Sequence, residues 1–166
     1  NITIKNTIIN NQKQLLINNL VLENSQIYNY NELKLKDKII KNTTNEYCIY
    51  NDNKICISHC TFDNNNTSNL IYATNKSTQT IIKQNHFSNN NSQKYGGCIY
   101  SNKGQNIIIS DNTFKNNQAT IDGNSITIAS NAIIKNNNFE NTTDNNNAEI
   151  NILIGNVNIE NNSFKT

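Results

Sequence analysis

Apolar residues in this chain come in short alternating runs. Ile55-x-Ile57, Ile107-x-Ile109, Ile126-x-Ile128 and Ile150-x-Ile152 each place a large aliphatic side chain at every second position, the pattern of a strand with one buried face. The longest apolar runs are three or four residues, such as Ile107-Ile108-Ile109, and none has the 3.6-residue spacing of a helix. From residue 46 the runs recur in register. Phe62, Phe87, Phe114, Phe139 and Phe164 are separated by 25, 27, 25 and 25 residues. Five residues before each stands Ile57, Ile82, Ile109, Ile134 or Ile159, and seven before stands Ile55, Thr80, Ile107, Ala132 or Val157. A second run precedes each set: Cys48-Ile49-Tyr50, Leu70-Ile71-Tyr72, Cys98-Ile99-Tyr100, Ile126-Thr127-Ile128 and Ile150-Asn151-Ile152.

A period of this size means a repeat architecture. Each unit holds two or three β-branched runs and nothing long enough for a helix, which excludes helical solenoids and strand-plus-helix repeats. A propeller blade needs roughly 40 residues or more. The pattern therefore predicts an all-β protein: a single-stranded right-handed parallel β-helix with coils of about 25 residues, stacked about 4.8 Å apart. Inward Ile then meets Ile, and Phe meets Phe. Asn suits the corners, because it tolerates left-handed backbone angles and its amide can bond to the amides above and below. The absence of Pro fits strands whose N–H groups must all reach a neighbouring coil.

Residues 1–45 are less regular. Leu20-x-Leu22-x-x-Ser25-x-Ile27 has the spacing of the later units, with Ile27 expected at the Phe position. The interval from Ile27 to Phe62 exceeds one unit, so an insertion is expected between Tyr28 and Asn45. Lys34, Lys36 and Lys38 alternate with Leu33 and Leu35 and are expected on a solvated outer face. One domain is expected over residues 1–166, irregular over 1–45 and regular over 46–166. With no initiator Met and a last unit broken off at Thr166, the chain reads as an internal segment whose ends continue into, or stack on, further coils.

Asn-x-Phe-x-Asn-Asn, together with Gly96-Gly97-Cys98-Ile99, resembles the repeats of polymorphic outer-membrane-protein-type β-helix proteins, which carry Phe-x-x-Asn and Gly-Gly-Ala-Ile motifs. Phe62…Asn65, Phe87…Asn90 and Phe114…Asn117 match the first motif, and Thr142 breaks it after Phe139. The Gly-Gly motif occurs once, with Cys in place of Ala. The resemblance covers residues 46–166. It implies the pectin-lyase-like fold class and a place among surface adhesins or large surface proteins, although fold alone does not transfer function.

Composition adds limits. Of 166 residues 41 are Asn, and all 14 basic residues are Lys. A net charge of +2 gives no reason to expect a nucleic-acid partner, and no run is long enough to span a membrane. Cys48, Cys56, Cys60 and Cys98 admit two readings, disulfides in an oxidising compartment or small apolar residues of the stack. Sequons begin at Asn1, Asn42, Asn65, Asn66, Asn75, Asn90, Asn141 and Asn161; roughly six or seven would arise by chance at this composition, so they carry little weight.

Candidate chemistry is sparse. A lyase needs a strong base, usually Arg, and this chain has none. A hydrolase needs converging carboxylates, whereas Asp37, Asp52, Asp63, Asp111, Asp122 and Asp144 are scattered and share levels with His, Gln, Ser, Lys and Asn. His59 and His86 occupy different levels. Cys56, His59 and Cys60 lack a second ligand pair for a metal. The expectation is a non-enzyme with no catalytic, cofactor or metal residues. It would be a structural or adhesive segment of an extracellular or cell-surface protein, with a protein or glycan partner along its flank. The alternative is a rigid scaffold inside a large intracellular assembly such as a filament or cilium. The wall near Gly96, Gly97 and Cys98 is the first place to look for a special surface, although a tight turn explains the two glycines more simply.

Overall fold

The computed structural model describes residues 2–17, 20–140 and 146–165, and all regular structure among them is β. The strands fall into three long parallel sheets that the chain visits in rotation. The first sheet has eight strands: Ile2–Lys5, Leu20–Glu23, Ile39–Lys41, Thr61–Asp63, His86–Ser88, Thr113–Lys115, Asn138–Glu140 and Ser163–Phe164. The second has seven, from Ile8–Asn11 through Tyr47–Asn51, Asn69–Ala73 and Ile99–Asn102 to Ile150–Ile154. The third also has seven, from Leu15–Ile17 through Lys54–Ser58 and Ile107–Ser110 to Val157–Glu160. A short fourth strip (Asn66–Thr67, Asn91–Ser92, Gln118–Ala119) lines one corner of the middle coils. The chain is a parallel β-helix.

The expected ladders are all present from residue 46 onward. Phe62, Phe87, Phe114 and Phe139 pair in sequence and are buried, and Phe164 follows at the exposed last rung. Their rings stack nearly parallel at 4.8–4.9 Å, the distance between coils. Each buried ring is worth about 1.5–3 kcal/mol in transfer, and aromatic contact adds about 0.5–1.5 kcal/mol. Ile55, Thr80, Ile107 and Ala132 form a second inner ladder, and Ile57, Ile82, Ile109 and Ile134 a third.

The asparagines of Asn-x-Phe-x-Asn-Asn divide into two jobs. Those two before and three after Phe point inward. Asn85, Asn112, Asn137 and Asn162 form one column; Asn65, Asn90 and Asn117 form the other. The Nδ2 of Asn112 donates to Oδ1 of Asn137 at 3.0 Å and to the Ile82 carbonyl at 3.0 Å. Its Oδ1 accepts both the backbone N–H (2.9 Å) and the Nδ2 (3.0 Å) of Asn85. Two donors and two acceptor sites are thereby used, which is what lets an amide be buried without penalty. In the second column, Asn90 Nδ2 donates to the Phe62 carbonyl at 3.0 Å and Asn117 Nδ2 to the Phe87 carbonyl at 3.0 Å, so Phe-x-x-Asn ties each corner to the Phe strand of the coil before. The remaining corner residues carry the left-handed bend: Asn64, Asn89 and Asn116 after Phe, and His59, Gln84, Asp111, Asn136 and Asn161 before it, with φ between 51° and 59°. This conformation favours Asn and Asp among residues with a side chain.

The first 45 residues correct three expectations. The interval expected to hold an insertion carries in-register strands, Glu32–Lys36 and Ile39–Lys41. The coils are shorter there: first-sheet partners step by 18 residues (Ile2 to Leu20, then Val21 to Ile39), by 22 (Ile39 to Thr61), and then by 25, 27, 25 and 25. Ile27 does not take the Phe position; it pairs with Ile9 and Ile49 in the second sheet. Leu22 and Ile40 stand beneath Phe62 instead, because a narrower coil has less interior to fill.

Lys38 is the third correction. Lys34 and Lys36 are exposed as expected, but Lys38 is only 1% exposed. It follows the left-handed corner at Asp37, so it enters the inner column beneath Cys60 and Asn85. Its Nζ donates to the Lys36 carbonyl at 2.6 Å. Burial lowers the Lys38 pKa, opposed by the nearby Cys60 thiol and Asp37 carboxylate.

At the two ends the ladders meet solvent. Ile2 and Ile8 are exposed on the first coil, and Ile152, Leu153, Ile154, Ile159 and Phe164 on the last. The columns make a stability prediction. Asn112→Ala should cost about 2–4 kcal/mol in chemical denaturation, because buried groups of Asn85 and Asn137 lose their partners. Gln84→Gly should gain about 0.5–1 kcal/mol by relieving a left-handed residue.

Candidate functional site

The outer face of the second sheet carries the aromatic part of the molecule's surface, while an aliphatic column, Cys56, Ile81, Ile108 and Ile133, runs along the outer face of the third. Inward residues of the second sheet are Ile27, Ile49, Ile71 and Ile99, so the next residue of each strand points out. That residue is Tyr28, Tyr50, Tyr72 and Tyr100 on four successive rungs. Tyr30, Tyr47 and Tyr95 flank this column and touch it. The chain has seven tyrosines, and every one belongs to this single cluster. Centroid separations along the column are 5.5, 5.9 and 5.4 Å, with the rings tilted 37°, 53° and 37° to each other. Tyr47 stacks on Tyr72 at 5.4 Å and 12°. The next rung holds Thr127, which is buried and bonded to the Asp122 carbonyl, so the column stops under the 120–123 turn.

Polar groups border the rings. Asn102 Nδ2 donates to the Tyr72 hydroxyl at 2.9 Å. Asp52 accepts from Thr74 Oγ1 at 2.5 Å and pairs with Lys76 at 3.6 Å. Burial, reinforced by the Asp52 carboxylate, pushes the Tyr50 phenol up to about 12. Burial and the Glu46 carboxylate raise Tyr47 further, and burial raises Tyr28 and Tyr100. The rings are half-buried among themselves, and Tyr30 is exposed.

The sequence reading did not single out this face. Its signal was present in the third position of Cys48-Ile49-Tyr50, Leu70-Ile71-Tyr72 and Cys98-Ile99-Tyr100. Tyr28, Tyr30, Tyr47 and Tyr95 join only through the winding of the coil. The wall proposed at Gly96, Gly97 and Cys98 is buried. Gly96 has φ +62°, and a side chain on Gly97 would collide with the Asn124 carbonyl. The glycines therefore make a tight turn against the next coil, with Gly96 and Gly97 N–H groups donating to Asp122 and Gly123 at 3.1 and 3.0 Å.

The other singled-out residues stay apart. His59, Asp37 and Asp111 are left-handed corner residues exposed to solvent, and His86 lies exposed on the first sheet. Asp63 accepts from Ser88 and Asn89, and Asp122 lies over Tyr95. Asn1, Asn141, Thr142, Asp144 and Thr166 lie outside the described residues. Among the described residues no three His, Cys, Asp or Glu gather as a metal set. No helix there is long and apolar enough to cross a membrane. A hollow between the 103–106 connection and the last coils has Lys103 as its one charged lining residue.

The four cysteines are free. Cys48 and Cys98 share a level but lie two rungs apart with Leu70 between them; about 9.6 Å is beyond disulfide reach. Cys60 is buried at a corner, and Cys56 is half-buried in the third sheet. Burial pushes the Cys48 thiol up to about 12 and Cys60 to about 11, and raises Cys98 strongly. Comparison with known proteins gives no matching family model, no matching curated protein and no matching solved structure.

Two outcomes follow. A thiol reagent should label Cys56 alone in the native protein and all four cysteines after denaturation, as read by mass spectrometry. Tyrosines whose pKa is raised on folding stabilise the fold fully below the ordinary value of 10.0, and that stabilisation is lost as pH rises through the folded value, about 12 for Tyr50. Stability measured by denaturant titration should therefore fall as pH rises past about 9–10, where thiols and phenols of the unfolded chain ionise while the buried ones stay protonated, and the tyrosinate absorbance of the native protein should rise only at higher pH.

Proposed function

We propose that this β-helix is a non-catalytic structural or adhesive segment of a large extracellular or cell-surface protein, with the tyrosine face as the surface it presents. One observation carries the reading: all seven tyrosines cluster on the outer face of one sheet, whereas the other exposed apolar residues, such as Ile133 on the third sheet and Ile152, Leu153 and Ile154 on the last coil, are aliphatic. Such an exposed aromatic patch marks an interaction site more often than it serves stability alone. The dispersal of the carboxylates supports a non-catalytic role over a polysaccharide lyase or hydrolase. The Phe-x-x-Asn columns and the single Gly-Gly turn support placement in the pectin-lyase-like class with polymorphic outer-membrane-protein-type repeats, and right-handed winding follows from the strong preference of parallel crossovers.

A second reading, a rigid docking rail inside an intracellular or ciliary assembly, is favoured by the unpaired thiols, which suit a reducing compartment. An antibody against the folded domain separates the two. Staining of intact cells is expected for the surface segment, whereas staining only after permeabilisation supports the internal rail. If the protein passes through a glycosylating route, glycans should be found at the exposed Asn66, Asn75 or Asn161 and never at Asn65 or Asn90, whose amides are 1% exposed within the inner column.

A further inference from the structure

The tyrosine face has a geometry that selects among partners. Its strands lie in the interior of the second sheet, paired on both sides. No backbone edge is free there, so a partner cannot add as a strand and must be read by side chains. The rings turn toward one another along the column, with tilts of 37° to 53°. That makes a ridged surface whose successive rings meet at centroid separations of 5.4–5.9 Å. A flat sugar ring would need an open ring face, and here those faces are shared between neighbours.

Rings recur at the coil spacing, about 4.8 Å, so every second ring is about 9.6 Å on. A polyproline II helix rises about 3.1 Å per residue and returns the same face after three residues, about 9.3 Å. Prolines on one face of such a segment therefore meet alternate rings along the column. The polyproline backbone has no internal hydrogen bonds, leaving its carbonyls able to accept from phenol hydroxyls. The segment is already extended, so ordering it costs little.

The charges complete the match. Glu46 is exposed and makes no ion pair among the described residues, yet its carboxylate acts on Tyr28 and Tyr47. Asp52 lies beside Tyr50, where it accepts from Thr74 Oγ1 and pairs with Lys76 at 3.6 Å. Lys76 offsets Asp52, which leaves Glu46 beside the rings as an exposed carboxylate without an ion pair among the described residues, although the whole chain is basic. We propose that the tyrosine face binds a proline-rich segment in the polyproline II conformation carrying Lys or Arg beside its prolines. This rests on the reading of the flank as a binding surface and names its ligand.

The chain contains no Trp, so its intrinsic fluorescence comes from this face alone. The test titrates the protein with a synthetic peptide of repeated Pro-x-x-Pro and a flanking Arg, with the same peptide carrying Ala for Pro, and with soluble polysaccharides. Saturable change of tyrosine emission with the proline peptide, at least tenfold weaker for the Ala peptide, is expected. Tyr72→Thr, which places at this level the residue found at Thr127, should weaken binding at least tenfold with an unchanged circular dichroism spectrum. Glu46→Lys, on an exposed side chain, should weaken it severalfold at low salt and little at high salt. Equal response to the Ala peptide, or saturation by a polysaccharide alone, overturns the proline-rich ligand while leaving flank binding intact. No response to any probe overturns both the ligand and the adhesive reading.

Discussion

Everything in this protein depends on one constraint: each side chain sits directly above its own counterpart from the previous coil. A residue type is tolerated in a column only if it is compatible with itself. Aliphatic and aromatic groups satisfy this by packing. Among polar groups the carboxamide satisfies it best, because it carries donor and acceptor together. Like charges do not, and the outer columns accordingly mix them. Lys36, Ser58, Lys83, Ser110 and Lys135 succeed one another with a serine between each pair of lysines. Lys41, Asp63, Ser88, Lys115 and Glu140 alternate similarly. This separates like charges that would be destabilising at directly opposed positions.

The abundance of Asn then has a structural account. Inner columns use it for hydrogen bonding and corners use it for left-handed backbone, so one residue type serves two distinct needs within six positions. Where the coil narrows, the same positions change character. The column of Asn65, Asn90 and Asn117 continues downward as Thr43, whose N–H still donates to Asn65 Oδ1 at 2.9 Å. The column of Asn85 passes through Cys60, whose N–H donates to Asn85 Oδ1 at 2.9 Å, to the buried Lys38. A third set, Asn11, Asn29 and Asn51, lines another corner of the narrow coils.

The regular coils were legible because self-compatible columns repeat a residue type at the coil length, so Phe, Ile and Asn announced both period and register. The early coils were not. Steps of 18 and 22 residues broke the spacing, and Leu22 and Ile40 gave no aromatic marker of their level. Lys38 was misplaced because strand alternation fails across a left-handed corner, where Asp37 reverses the sense of facing. The tyrosine face was half legible: three tyrosines sat at one level of a recognised run, but outward positions are under no packing demand, and their convergence with Tyr28, Tyr30, Tyr47 and Tyr95 required the winding itself.

The inner amides also share a direction. In each buried column the Nδ2 group of one coil points to the Oδ1 of the next toward the C-terminus: Asn11 to Asn29, Asn65 to Asn90, Asn85 to Asn112. Where Oδ1 also receives a backbone N–H, as in Asn90 and Asn112, no amide can turn around without setting donor against donor. The dipoles therefore add along the axis, each polarising the next. The inner columns are electrically polar, negative toward the first coil and positive toward the last, whereas the exposed corner amides run the other way, Asn24 donating to Asn6 and Asn64 to Asn42. An assembly that stacks such coils head to tail would continue each inner column's dipole, whereas one that joins like ends would set two against each other.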